Sequence, residues 1–233
     1  MTRILLIETS TALCSVALAE DGRIVATRES AEPRVHAAMT APYVKEVLGD
    51  RSVRDLDAVC VGKGPGSYTG LRVGVSTAKG LCFGAGIPLL SVGTLDTLVY
   101  QARADGLLPE GCRYVVPMID ARRMEVYSAV FTPDARQIRE TKPEIIDASS
   151  FADLLSEGPV LFIGDGVDKC REVLASPRAC FAPCAPKAAS MAVPAFAAFR
   201  EGRFEDVAYF EPFYLKEFVA TVPRRNLFSA LGK

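Results

Sequence analysis

Apolar positions in the first thirty residues follow a strand pattern. "RILLIETS" is an unbroken apolar run that ends in polar residues, and "CSVALAED" and "GRIVATRES" follow it. Asp21-Gly22 between the last two is a two-residue hairpin signal. The chain is therefore expected to open on a three-stranded meander. The period then changes. In "VHAAMTAPYVKEVLG", Val35, Met39, Tyr43 and Val47 recur every four residues, the spacing of one helix face, with Gly49 as a stop. Pro42 lies inside this helix and lacks a backbone donor, which predicts a kink or a short break. "LDAVCVGKG" is apolar on both faces and reads as a central parallel strand. "TGLRVGVSTAKGLCFGAG" reads as a helix, "IPLLSVG" as a buried strand, and "TLDTLVYQARA" as a helix with Thr94 as its N-cap.

After "GLLPEG" at Gly106–Gly111 the pattern begins again. "YVVPMIDA", "MEVYSAVFTP" and "IRETKPEII" read as strands, "SFADLLSEG" as a helix capped by Ser149 or Ser150, "VLFIGDG" as a strand and "VDKCREVLAS" as a helix. "KAASMAVPAFAAFREG" is the last helix, interrupted by Pro194, and "EPFYLK" a short terminal segment. No residue-level repeat is present, so the duplication is one of element order. The expected class is α/β: two tandem actin/hexokinase/Hsp70-like (ASKHA) domains, each a mixed sheet with flanking helices. The expected division is residues 1–105 and 106–233, with the last helix of the second part free to pack back on the first. Ligands in that architecture bind in the cleft between the two parts.

Composition removes some functions. Hydrophobic residues make up 49 % of the 233 and charged residues 24 %, ample for a core. The 27 Lys and Arg against 28 Asp and Glu give a net charge of -1, without the basic excess of a protein that binds nucleic acid by itself. Only the C-terminal end leans basic, with Lys216, Arg224, Arg225 and Lys233, and a solvated tail is its expected role. The apolar start breaks at Glu8 and is read as a strand rather than a signal peptide. No apolar stretch approaches the ~20 residues needed to span a bilayer. A cytoplasmic location without membrane contact is expected, and seven scattered cysteines suit reduced thiols. Cys180 and Cys184 lack a second ligand pair, which argues against zinc.

The run "GKGPGSYTGLRVG", Gly62 to Gly74, has the composition of a phosphate loop but the wrong order for one. Lys63 precedes the glycines, where a Walker A lysine would open the helix, and Thr69 stands where a dinucleotide fingerprint needs glycine. A helix N-terminus with free amides can still take an anion, but Ser67 and Thr69 are expected to cap the helix themselves. Behind them Gly70, Gly74 and Ala78 form a strip without side chains. Each helical glycine costs up to about 1 kcal/mol relative to alanine, so the strip calls for a closely packed neighbour. That neighbour is either the sheet of the same domain or a helix of a second protein.

Other candidates lie at strand ends. Glu8, Thr9, Ser10 and Thr11 follow the first strand, in the place where the actin-like architecture holds nucleotide phosphates, but no glycine eases the turn. Asp120 ends "YVVPMID" and is expected to make an Asx contact in its turn; Arg122, Arg123 and Glu125 read as turn residues. Asp165 sits in "GDG". An active phosphotransferase would use Glu8, Asp120 and Asp165 to hold a metal-nucleotide.

"ILLIETSTALCSVAL", "VGKGPGSYTGLRVGVSTAKGL", "IDARRMEVY", "GDG" and "EPFYLK" together resemble the TsaB (YeaZ) family over nearly the whole chain. The resemblance implies a non-catalytic relative and partner of TsaD, which transfers threonylcarbamoyl to the adenosine beside the anticodon of tRNA. It also implies a TsaE-type ATPase partner, a homodimer when the protein is alone, and tRNA contact only through the complex. The TsaD metal histidines match Thr94 and Leu98 here, so no metal and no required cofactor are expected; ATP or ADP at the complex interface is left open. The two N-terminal helices, roughly 35–48 and 69–83, are the implied contact, with Met39, Tyr43, Gly70, Leu71, Gly74, Val75 and Ala78 as interface residues and Glu8, Thr9, Ser10, Asp120 and Asp165 as a vestigial nucleotide cleft. His36 matches a family histidine and is expected to hydrogen-bond at its helix end. A protease acting on the partner lacks a nucleophile-base pair, since His36 is the sole imidazole. The older reading as a glycoprotein peptidase lacks its metal ligands.

Overall fold

β1 (Arg3–Glu8) pairs antiparallel with β2 (Cys14–Glu20), which pairs with β3 (Arg23–Ser30). The turn at Asp21-Gly22 has φ of +47° and +79°, the two left-handed residues that a tight hairpin demands. α1 (His36–Leu48) follows, then β4 (Ala58–Gly62), parallel to β1, α2 (Tyr68–Ala85), and β5 (Leu89–Val92), parallel to β4. The sheet order is β3-β2-β1-β4-β5. β1 is apolar throughout because both of its faces are covered: Leu5 and Ile7 face a core with Val44, Val47 and Val75 of α1 and α2, whereas Ile4 and Leu6 face another. The structure is a computed structural model that describes residues 1–215, so Lys216, Arg224, Arg225 and Lys233 lie outside the described residues.

α3 (Thr94–Ala104) leads into the second unit, which contains β6 (Tyr114–Asp120), β7 (Glu125–Phe131), β8 (Gln137–Ile145), α4 (Ala152–Glu157), β9 (Val160–Ile163) and β10 (Ala179–Ala182). Its order, β10-β9-β6-β7-β8, repeats that of the first sheet element for element. The chain closes on a 3-10 turn at Ala188–Met191 and α5 (Ala192–Arg200).

The two units exchange helices. Leu95, Leu98, Val99 and Ala102 of α3 pack against Val115, Ile119, Phe131 and Leu161 of the second sheet, although α3 precedes residue 105 in the chain. Conversely, Met191, Ala192, Ala195 and Ala198 pack against Ile4, Leu6, Cys60 and Leu90 of the first sheet. Packing therefore assigns α3 to the second unit and α5 to the first.

Several local expectations are corrected. α1 runs unbroken through Pro42, which lies on its solvent side, where water can serve the unbonded carbonyl of Ala38. Gly93, not Thr94, occupies the N-cap of α3. Ser149 and Ser150 bond Asp147 in a turn instead of capping α4, whose N-cap is Phe151. "VDKCREVLAS" forms only a 3-10 turn at Asp168–Cys170, and a strand with no counterpart in the sequence reading, β10, follows at Ala179–Ala182. Pro194 falls in the first turn of α5, where its missing donor has no helical acceptor to lose. The seven cysteines are free thiols, and no helix of the described residues is long and apolar enough to cross a membrane.

Candidate functional site

The ends of β1 and β6 face each other across a cleft of about 980 Å³. One wall carries Ser10, Thr11, Arg34, His36 and the first turn of α2; the other carries Asp120, Arg122, Tyr127 and Asp165. The strand-end candidates thus fall into two groups. Ser10, Asp120 and Asp165 line the cleft, whereas Glu8 and Thr9 are buried behind it.

Glu8 lies beneath the loop, and its Oε1 accepts the amide of Ser10 at 2.7 Å while Oε2 has no partner. Burial raises its pKa to about 6, against the pull of the nearby Ser10 hydroxyl and of the Ser10 and Thr9 amides. Gly62 makes room for this carboxyl, since a Cβ there would stand 2.3 Å from Oε2. A carboxyl in this position cannot hold a metal-nucleotide in the cleft, which corrects its assignment to the cleft. Thr9 is committed elsewhere, with Oγ1 donating to the carbonyl of Gly70 at 2.8 Å.

On the opposite wall Asp120 does form the Asx contact, accepting the amide of Arg122 at 2.7 Å. It also pairs with Lys169, a residue that sequence reasoning passed over because its segment read as an ordinary helix. Desolvation raises the pKa of Asp120, but Lys169 and the Arg122 amide outweigh it and the net shift is downward. Asp165 accepts the amide of Asp120 at 2.9 Å, and desolvation pushes its carboxyl up. Gly164 permits this approach, because a Cβ there would lie 2.2 Å from the carbonyl of Met118. His36 opens α1, but its Nε2 is buried without a partner, so the expected helix-end bond is not made by that nitrogen.

Ser67 caps α2, its Oγ accepting the amide of Gly70 at 3.3 Å. The glycine strip behind it faces inward. A Cβ on Gly70 would stand 2.1 Å from the carbonyl oxygen of Thr9, and one on Gly74 2.2 Å from Thr9 Oγ1. Leu71, Val75 and Ala78 are buried on the same side. Gly70, Leu71, Gly74, Val75 and Ala78 are therefore internal packing residues and not a ready partner surface, a correction whose cause is the close seat of α2 on the β1 terminus. Met39 and Tyr43 are half-buried on α1. The opposite side of α2 presents a second small-residue row, Ser76, Gly80 and Gly84, and nothing lies within 4 Å of a Cβ built on either glycine. Phe83 beside that row is 85 % exposed.

Thr94 and Leu98 are both buried, Leu98 in the core of the second unit. Among the described residues no group of three or more His, Cys, Asp or Glu could hold a metal ion. A segment whose seat the sequence did not give completes the region: residues 205–215, which include most of "EPFYLK", run from β5 along α2. Lys79 Nζ donates to the carbonyls of Ala208 and Phe210, the amide of Phe213 donates to Lys63, and Tyr214 packs on Tyr68 with ring centroids 4.9 Å apart. Lys79 in a helical register gave no sign of an acceptor some 130 positions away.

Two mixed sheets of the same order flanking one cleft define an α/β protein of the actin-like kind. The family description "TsaD: tRNA N6-adenosine threonylcarbamoyltransferase" matches residues 29–222. The "tRNA threonylcarbamoyladenosine biosynthesis protein TsaB" of Escherichia coli is 40% identical over 153 residues, 62% of this chain and 64% of that protein, so the match spans just under two thirds of that relative. The protein of the same name from Bacillus subtilis is 33% identical over 167 residues, 69% of this chain and 70% of that one. The structure described as "YeaZ from Pseudomonas aeruginosa" superposes with a TM-score of 0.78 at 27% identity, covering 92% of this chain and 100% of that one. The chain belongs to the TsaD-like family and, within it, to the TsaB (YeaZ) proteins.

Proposed function

We propose that this chain is a non-catalytic subunit that docks a TsaD-type transferase in the threonylcarbamoyl modification of the adenosine next to the anticodon of tRNA. The observation that carries the reading is the outer face of α1 and α2. Ala37, Ala38, Ala41, Ser76, Gly80 and Gly84 expose little side chain, and the exposed Phe83 ring borders them. Such a face admits a second backbone closely while offering an aromatic anchor. The absence of catalysis by this chain alone is supported by Glu8 being buried and Asp120 being held by Lys169, which leaves neither for a metal-nucleotide. In this reading the same face pairs two copies when the partner is absent, a TsaE-type ATPase joins the complex, tRNA is met only through the assembly, and the protein works in the cytoplasm.

The test is gel filtration with light scattering of the protein mixed with a TsaD-type transferase at micromolar concentration. One heterodimer peak is expected, abolished by Gly80→Arg and weakened by Phe83→Asp, with the circular dichroism of both variants unchanged. Two separate peaks for the unaltered protein would overturn the reading.

A further inference from the structure

Between α2 and residues 205–215 lies a groove of about 330 Å³. Arg72, Ser76 and Lys79 of α2 line one side, and Phe210, Pro212 and Tyr214 line the other. The second side is fixed in place. Lys79 Nζ donates to the carbonyls of Ala208 and Phe210, the amide of Phe213 donates to Lys63, and Tyr214 packs on Tyr68. The groove is therefore preformed, and filling it orders little else. It is also continuous with the docking face. Arg72, Ser76 and Phe83 are spaced four and seven residues apart, so they follow one stripe of the helix. Arg72 and Phe83 stand about three turns, or about 16 Å, apart along the axis. One end of the stripe is an exposed ring and the other an exposed guanidinium.

The charge of the groove is unbalanced. Arg72 stacks on Tyr68, its guanidinium carbon 4.2 Å from the ring centroid, and interacts with the Tyr214 hydroxyl. These contacts orient the planar fork and leave most of its N–H donors available. Lys79 donates to two backbone carbonyls and has a donor left. Among the described residues neither cation is in an ion pair. Glu211, exposed at the rim, attracts Arg72 without pairing with it. A second copy docked through the same helices would not supply the missing charge. α1 carries a single acidic residue, Glu46, which is paired with Arg28, and α2 carries none.

We propose that the groove takes an aspartate or glutamate side chain of the docked transferase, held by the Arg72 fork and the remaining Lys79 donor, while the Phe83 ring anchors the other end of the stripe. The inference rests on the partner reading and adds what selects the partner: a different chain that brings the carboxylate is favoured over a second copy whose helices bring none. A planar carboxylate meets a guanidinium fork in two parallel bonds, and the walls of Phe210, Pro212 and Tyr214 shield the pair from bulk water.

Calorimetric titration of the full chain with a TsaD-type transferase, at about 50 mM and about 500 mM potassium chloride, tests this. The unaltered pair is expected to weaken about tenfold in the higher salt. Arg72→Gln is expected to weaken pairing about tenfold at low salt and to remove most of the salt dependence. Glu211→Gln takes a competing carboxylate from the rim and is expected to tighten pairing severalfold at low salt. Both residues are exposed, so the circular dichroism of both variants is expected to match the unaltered protein. Self-association, read by light scattering, is expected to be little changed in either. Pairing untouched by both substitutions, full salt dependence in Arg72→Gln, or a loss confined to self-association, which would seat a second copy in the groove, would overturn the inference and leave the partner reading in place. An unaltered protein that gives no heat with the transferase and elutes apart from it would overturn both.

Discussion

Thr9 is seated directly on Gly70: its hydroxyl donates to the Gly70 carbonyl at 2.8 Å, and its own carbonyl occupies the space where a Cβ on that glycine would be. The glycines of α2 thus let the helix approach the end of β1. Gly70→Ala and Gly74→Ala are expected to lower stability by about 1–3 kcal/mol each, because the methyl meets a backbone oxygen or a bonded hydroxyl and the helix must retreat. Urea unfolding monitored by circular dichroism measures this. An unchanged midpoint would show that α2 can shift at no cost.

Gly80 should behave in the opposite way. Nothing lies within 4 Å of a Cβ built there, and its φ is not left-handed. Gly80→Ala is expected to raise stability by up to about 1 kcal/mol through helix propensity alone. A loss of stability in the same urea assay would mean that this face is occupied in the free protein.

These two glycines also mark the limit of what could be read from the sequence. The strands other than β10 were legible, since uninterrupted Val, Ile and Leu runs such as "RILLIE" describe strands covered on both faces, and Asp21-Gly22 specifies its own turn. The helical spacing of Gly70, Gly74 and Ala78 was legible too, but Ser76, Gly80 and Gly84 have the same spacing on the other side. Which row turns inward is decided by Thr9, some sixty residues earlier, and no local pattern contains that choice. The seat of α3 on the second sheet was hidden for a similar reason, because amphipathic spacing states that a helix buries one face and not which sheet receives it. The cleft was legible as strand ends, while the pairing of Asp120 with Lys169 depends on a 3-10 turn where the periodicity suggested a helix.

Lys79 tethers residues 205–215 to α2 through two carbonyls, at 3.1 Å to Ala208 and 3.0 Å to Phe210. Replacing it by methionine keeps the stem and removes both bonds. Lys79→Met is expected to cost about 1 kcal/mol or less in global stability, as befits partly exposed bonds, yet to speed proteolytic cutting between residues 205 and 215 severalfold. Mass spectrometry of a timed digest locates the cuts. Equal cutting rates would show that Phe213, through its bond to Lys63, and Tyr214, through Tyr68, hold the segment without the lysine.

Glu8 makes stability depend on pH in a defined direction. Its folded pKa of about 6 lies above the ordinary 4.5 because burial disfavours the carboxylate. The folded state therefore holds a proton that the unfolded chain has already lost. Stability from this group is fully present below about pH 4.5 and is lost as pH rises through about 6. A shift of this size corresponds to about 2 kcal/mol at neutral pH. Glu8→Gln keeps an oxygen for the Ser10 amide and cannot ionise. The variant is expected to match the unaltered protein at pH 4.5 and to exceed it by about 2 kcal/mol at pH 7.5, with the difference growing between these limits. Paired urea titrations at half-unit pH steps give the curve. A difference that is constant across the range would place the effect of the substitution in packing, and one that shrinks with rising pH would mean that Glu8 is ionised and stabilised in the fold.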